Sequence, residues 1–256
     1  MIDTHAHLDG CEGTPAEVVQ RAAAAGVGRI VTVGTSLEGA REALAMADAL
    51  PGVWAAVGVH PHRAGEEHGE LERIAELHEL LRHPKAVAVG ETGLDWFRDY
   101  APAPRQHALF AAQLAIAAET GKPVVIHTRA ADDDTAAHLR DHPGQVILHC
   151  FSSPALLDLA LEKGWYISFA GNVSYPPAAD LRRAAYAVPA ERILVETDCP
   201  YLAPQAVRGK KNEPAYVMHT LAALAQARGE DADELEARIE ANAARVFGLP
   251  APAATA

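Results

Sequence analysis

Six side chains of metal-ligating type recur at the ends of short apolar runs in this 256-residue chain. His5 and His7 close "MIDTHAH", Glu91 follows "KAVAVG", His127 ends "KPVVIH", His149 ends "QVILH" and Asp198 ends "RILVETD". Read as a strand, the first run puts side chains at i and i+2 on one face, so both imidazoles project together. That pair alone fits a metal ion and fits two ordinary polar residues equally well. The recurrence separates the readings. Burying such groups unpaired costs several kcal/mol each, and coordination to an ion removes that cost.

A catalytic zinc takes three protein ligands and keeps one position open. Four histidines and two carboxylates exceed that need, so two ions are expected, with one carboxylate between them. Glu91, from the middle of the strand order, is the natural bridge. His5, His7 and Asp198 would hold one ion, and His127 with His149 the other. Asp198 and Glu91 are the catalytic candidates, Asp198 serving both as a ligand and as acceptor of a proton from the attacking water. Imidazole-rich donors favour Zn2+, with Mg2+, Mn2+ or Ni2+ as alternatives. Two such ions contribute +4, and two carboxylates with a hydroxide return −3, leaving a local balance of about +1. An anionic substrate is then acceptable even though the chain carries a formal charge of −12.

Strand ends must position these residues. The strand candidates are "MIDTH", "RIVTVG", "VWAAVGVH", "KAVAVGE", "KPVVIH", "QVILHC", "WYISFAG" and "RILVETD". Most are apolar throughout, as parallel strands buried on both faces are. Helix candidates lie between them at Pro15–Ala25, Leu37–Leu50, Glu70–Leu81, Gln106–Thr120 and Pro154–Lys163. Thr14 with Pro15 marks a helix start, and Gly26, Gly121 and Gly164 mark stops. Eight strands alternating with helices over about 250 residues predict an α/β fold, a single (β/α)8 TIM barrel, which gathers C-terminal strand ends on one face. An open doubly wound sheet competes, weakened because no G-x-G-x-x-G follows the first strand.

No Pro/Gly/Ser-rich linker divides the chain, so residues 1–249 are expected to form one domain and "PAPAATA" at 250–256 a disordered tail. Three cysteines without CxxC spacing argue against a disulfide framework or a zinc knuckle. The absence of a basic block argues against a broad nucleic-acid-binding surface. No leader-like or membrane-spanning run is seen, so a cytoplasmic location with no membrane association is expected. A monomer is assumed.

The motifs "DTHAHLD", "GVHPH", "VGETGLDWF", "VIHTR", "LHCFS", "ETDCPYLAP", "RGKKNEP" and "ANAARVFGL" follow one another along the chain. In that order they resemble the TatD family of metal-dependent hydrolases, within the amidohydrolase-like barrels, from Ile2 to about Leu249. The resemblance implies a metal-dependent deoxyribonuclease working 3′-to-5′ on single-stranded ends, with DNA or RNA ends as substrate. It also implies an alternative, a deacylase or amidohydrolase such as one acting on D-aminoacyl-tRNA. By the same resemblance the ligands fall on His5, His7, Glu91, His127, His149 and Asp198. Ser153 stands where the family commonly has glycine, and His62 is an extra imidazole.

Candidates for substrate contact surround this set. His60, followed by the rigid Pro61, would meet a phosphate or another substrate oxygen. His62 makes a second H-x-H pair, but the proline between the rings breaks simple strand alternation. Arg129, two residues beyond His127, would clamp a phosphate or pair with Asp95. The loop "RGKKNEP" supplies Arg208, Lys210 and Asn212 near the last strand, where barrel phosphate sites often lie. Cys150 and Cys199 directly follow His149 and Asp198, so alternation turns them away from the metals. Trp96 would stack on a base or pack.

Overall fold

Valine, isoleucine and alanine dominate "RIVTVG", "AVAV" and "VVIH", and in the computed structural model, which describes residues 1–250, these runs are buried strands. The strands are β1 (Ile2–Ala6), β2 (Arg29–Gly34), β3 (Val53–Val57), β4 (Ala86–Asp95), β5 (Val124–Arg129), β6 (Val146–Leu148), β7 (Tyr166–Phe169) and β8 (Ile193–Val195). They form one eight-stranded sheet in sequential order. The β3–β4, β4–β5, β5–β6 and β7–β8 pairs are parallel. A bridge from Ala6 to Cys199 sets the end of β1 beside the residues after β8. With helices between the strands, this is the expected (β/α)8 TIM barrel.

Several strand ends differ from expectation: β5 runs past His127 to Arg129, and β6 stops at Leu148, just short of His149. β3 stops at Val57, short of His60, and β8 stops at Val195, short of Asp198, while β4 runs past Glu91 to Asp95. Gly93 makes that extension possible. It pairs with His127, and a Cβ there would lie 1.9 Å from the His127 carbonyl oxygen, so a side chain would push β4 off β5.

The helices are α1 (Pro15–Ala24), α2 (Leu37–Ala49), α3 (Leu77–Leu80), α4 (Ala103–Thr120), α5 (Asp132–Leu139), α6 (Leu157–Lys163), α7 (Ala179–Ala187), α8 (Val217–Arg228) and α9 (Ala232–Phe247). Thr14 caps α1 through a reciprocal box with Glu17. Gly121 and Gly164 take left-handed conformations that stop α4 and α6. The helix expected over Glu70–Leu81 is instead turns and a 3-10 segment, with α3 as its α-helical part. Glu70 is engaged elsewhere: its buried carboxylate accepts the Leu37 N–H at the start of α2, at 2.9 Å.

The described chain divides into two compact units. In the first, Met1–Ile30 with the residues from Ile167 onward, α9 packs on β1 and β8. Asn242 of "ANAARVFGL" donates to the carbonyls of Ala190 and Ile193, at 2.7 and 3.0 Å, and so fixes α9 to the start of β8. In the second, Val31–Tyr166, α2 packs on β3 and α4 on β4. The buried Gln113 amide of α4 accepts the Val59 N–H at 2.8 Å and donates to the Val59 carbonyl at 2.9 Å and the Thr92 hydroxyl at 2.7 Å. The Val59 main chain, past the end of β3, and the Thr92 hydroxyl inside β4 are thereby satisfied by one side chain. The tail expected at 250–256 lies, from residue 251, outside the described residues. Among the described residues no helix is long and apolar enough to cross a membrane.

Candidate metal centre

In the first unit, two backbone bonds bring a carboxylate to the histidine pair. The His7 N–H donates to the Cys199 carbonyl and the Asp198 N–H to the His5 carbonyl, both at 2.9 Å. Asp198 takes a left-handed conformation with φ of 53°, which an Asp tolerates better than most residues. The Nε2 atoms of His5 and His7 lie 3.4 Å apart, and Asp198 Oδ1 is 3.8 Å from the first and 3.5 Å from the second. Ligands held about 2.0–2.1 Å from a tetrahedral zinc stand roughly 3.3–3.4 Å from one another. The three donors therefore fit one divalent ion.

Asp3 supports this arrangement from β1. It is fully buried and accepts the Thr197 N–H at 2.9 Å and the Thr197 hydroxyl at 2.5 Å. Burial pushes its carboxyl up to about 8, in spite of those bonds. Glu196, buried after β8 and grouped with His5 as a candidate donor, was missed by the strand-end reading. Its position two residues before Asp198 was the available signal.

In the second unit, three imidazoles converge on one oxygen. Glu91 Oε1 lies 2.7 Å from His127 Nδ1, 2.9 Å from His149 Nε2 and 3.5 Å from His60 Nε2. His60, Glu91 and His127 form a second group at metal-ligand spacing. Sequence reading placed His60 against substrate; the structure brings it among the candidate ligands. The cause is local: the Thr35 carbonyl holds the His60 N–H at 3.0 Å, and His60 Nδ1 accepts the His62 N–H at 3.1 Å. Nε2 is left to face Glu91. Burial pushes Glu91 toward the neutral acid, but the charges of His149 and His60, with hydrogen bonds from His127 and His149, hold it well below the usual carboxylate range. An ionised carboxylate among imidazoles suits a borderline transition ion.

A second carboxylate stands behind this group. Asp95 Oδ2 lies 2.7 Å from His62 Nε2 and 3.3 Å from His127 Nε2, and Asp95 Oδ1 accepts the N–H groups of Phe97 and Arg98 at 2.8 and 2.9 Å. Burial opposes its ionisation, yet the hydrogen bonds from His127, the Arg98 N–H and His62 keep it well below the usual range. His127 is shifted upward: burial disfavours its charge, and Asp95 and Glu91 more than compensate. With Nε2 turned to Asp95, Nδ1 is the nitrogen presented to the ligand group. Alternation along β4 runs Glu91, Gly93, Asp95, so Asp95 was legible once the strand was known to continue.

The remaining candidates separate. Arg129 ends β5 exposed, with its guanidinium carbon 3.9 Å from the Phe97 ring centroid. Among the described residues no carboxylate lies in ion-pair reach of it, so the pair weighed with Asp95 is not formed. Arg208 and Lys210 are exposed, and Arg208 stacks on Tyr175 at 4.1 Å. Asn212 is corrected: it is 1% exposed, and its amide donates to the carbonyls of Thr197 and Tyr201 at 2.8 and 2.5 Å. It ties its own loop together and has no donor left for a substrate. Cys199 is buried, with Sγ 3.3 Å from the reduced Cys11 Sγ. Trp96 donates its indole N–H to Asp134 at 2.9 Å.

Comparison with known proteins places these features in a lineage. The family described as TatD related DNase matches residues 2–248. An uncharacterized metal-dependent hydrolase TatD of Mycobacterium tuberculosis is 42% identical over 261 residues, covering 97% of this chain and 98% of that protein. A Klebsiella pneumoniae protein named 3′-5′ ssDNA/RNA exonuclease TatD is 41% identical over 244 residues, covering 91% of each. The crystal structure of YjjV, a TatD homologue from Escherichia coli, is similar with a TM-score of 0.89 at 34% identity, covering 98% of each chain.

Proposed function

The chain belongs to the family of TatD related DNases and is a metal-dependent hydrolase; from that premise we propose that it is a phosphodiesterase trimming single-stranded DNA or RNA ends in the 3′-to-5′ direction. The observation that carries this reading is the pair of clusters, His5–His7–Asp198 and His60–Glu91–His127, each with three donors at ligand spacing. One divalent ion in each is the proposed occupancy, with Zn2+ first and His149 adding to the second set from 2.9 Å beyond Glu91. When bound, such ions supply an activated water and Lewis acidity toward a phosphoryl oxygen. The chain's own groups do the rest. Asp198 offers a carboxylate to take the water's proton, and Arg129, Arg208 and Lys210 offer cations to phosphates. A cytoplasmic monomer is part of the same proposal.

The test is turnover of a 3′-labelled single-stranded oligonucleotide by metal-reconstituted protein, run beside a D-aminoacyl-tRNA. Release of labelled mononucleotide, blocked by a capped 3′ end, is the expected result. Deacylation without nucleotide release would replace the nuclease reading with a deacylase.

A further inference from the structure

We propose that the loop following β4 is a nucleobase platform, in which the exposed ring of Phe97, braced by Arg129, stacks on the terminal base of the substrate strand. The proposal rests on the nuclease reading for its substrate, and on the loop itself for its chemistry. Phe97 and Tyr100 are 59% and 56% exposed, and they stand three residues apart in one loop. Large aromatic rings left in water on a loop beside a candidate site mark a binding surface. Their exposure is not slack. Asp95 Oδ1 accepts both the Phe97 and the Arg98 N–H, so the turn is fixed by the same carboxylate that holds His127.

Cations complete the platform. The Arg129 guanidinium carbon lies 3.9 Å from the Phe97 centroid, and that of Arg98 lies 5.4 Å from Phe97 and 6.0 Å from Tyr100. Among the described residues neither arginine has a carboxylate partner. Rings flanked by unpaired guanidinium groups are the chemistry that recognises single strands: the ring stacks on any base, and the cation follows the phosphate. The Tyr100 ring stands edge-on to His62 at 4.7 Å, and His62 shares Asp95 with His127. The loop thus reaches the ligand group through His62, within range of the base of a nucleotide held there by its phosphodiester. Sequence tolerance follows, because every base has a π-face.

Calorimetry on the full metal-loaded chain compares deoxyadenosine monophosphate with 2-deoxyribose 5-phosphate, which lacks the base. The expected preference is about tenfold, or about 1.4 kcal/mol. Phe97→Ala should erase that preference while the sugar phosphate still binds, and Phe97→Trp should restore it. Equal affinity of the wild type for both probes, no binding of the nucleotide at millimolar concentration, or a preference that survives Phe97→Ala would each overturn the platform. The two readings fail separately. Base preference without oligonucleotide hydrolysis removes the nuclease and keeps the platform; hydrolysis without base preference does the reverse.

Discussion

In the first unit main-chain bonds register the candidate ligands, whereas in the second a buried side chain orients one of them, His127. His5, His7 and Asp198 are registered by two main-chain bonds and the Ala6–Cys199 bridge. His127 is oriented by Asp95, which also holds His62 and the start of the next loop. The difference is one of vulnerability. Main-chain bonds survive most substitutions, so the first cluster depends on its ligands and on the seam between β1 and the residues after β8. In the second, His127 depends on one buried carboxylate that touches no ion in the proposed arrangement, and through that residue it is coupled to the Phe97 loop.

Removing a ligand carboxylate from either cluster should have the largest effect. Glu91→Gln and Asp198→Asn are expected to lower turnover by at least about a hundredfold, beyond the ten- to hundredfold typical of losing a supporting residue. Circular dichroism should show both variants folded, since neither removes core packing. Elemental analysis should give two transition ions per active wild-type chain. One ion in fully active protein would remove the two-cluster occupancy.

Asp95→Asn should separate the clusters. The amide keeps the shape but cannot accept hydrogen bonds as strongly, so His127 loses its orienting partner. Chelator titration of the variant should show one ion weakened about ten- to hundredfold and the other at wild-type affinity. Equal weakening of both ions would show that the clusters are not supported independently.

Asp3→Asn tests the backbone-held side more gently. In the folded, metal-free protein burial pushes the Asp3 carboxyl up to about 8, from the 3.8 of an exposed aspartate. Folding therefore binds a proton between those values, and stability from the neutral carboxyl, full below the lower value, is lost as pH rises toward the higher one. Thermal melts of wild-type apo protein should fall from about pH 5 to about pH 8, and the variant should lessen that fall by a few degrees. An identical pH slope in the two proteins would place the titration elsewhere.

Salt should have the smallest effect. Each phosphate neutralised on a single strand contributes about −0.7 to the slope of log affinity on log salt. Arg129, Arg208 and Lys210 supply two or three such contacts at most, so a slope of roughly −1.5 to −2 is expected for Glu91→Gln on an oligonucleotide. A slope near −5 would reveal a long basic groove and turn the reading from end-trimming to extended binding.

Alternation and motif order by themselves determined much of this. His5 and His7 were assigned to one face because a strand repeats every two residues, and eight apolar runs alternating with helices had few architectures open to them. The six ligand candidates could be read the same way, since strand ends gather on one face of a barrel. What the tertiary structure alone decided concerns partners. His60 joined Glu91 because a loop carbonyl, from Thr35, fixed its backbone. Asp95 became a support because Gly93 let β4 continue against β5. Asn212 turned inward to loop carbonyls, and Arg129 settled on Phe97 and not on a carboxylate. Periodicity reports the face a residue occupies within its own segment. Which group waits across from it depends on register, strand length and loop path, and these are set by contacts between segments far apart in the chain.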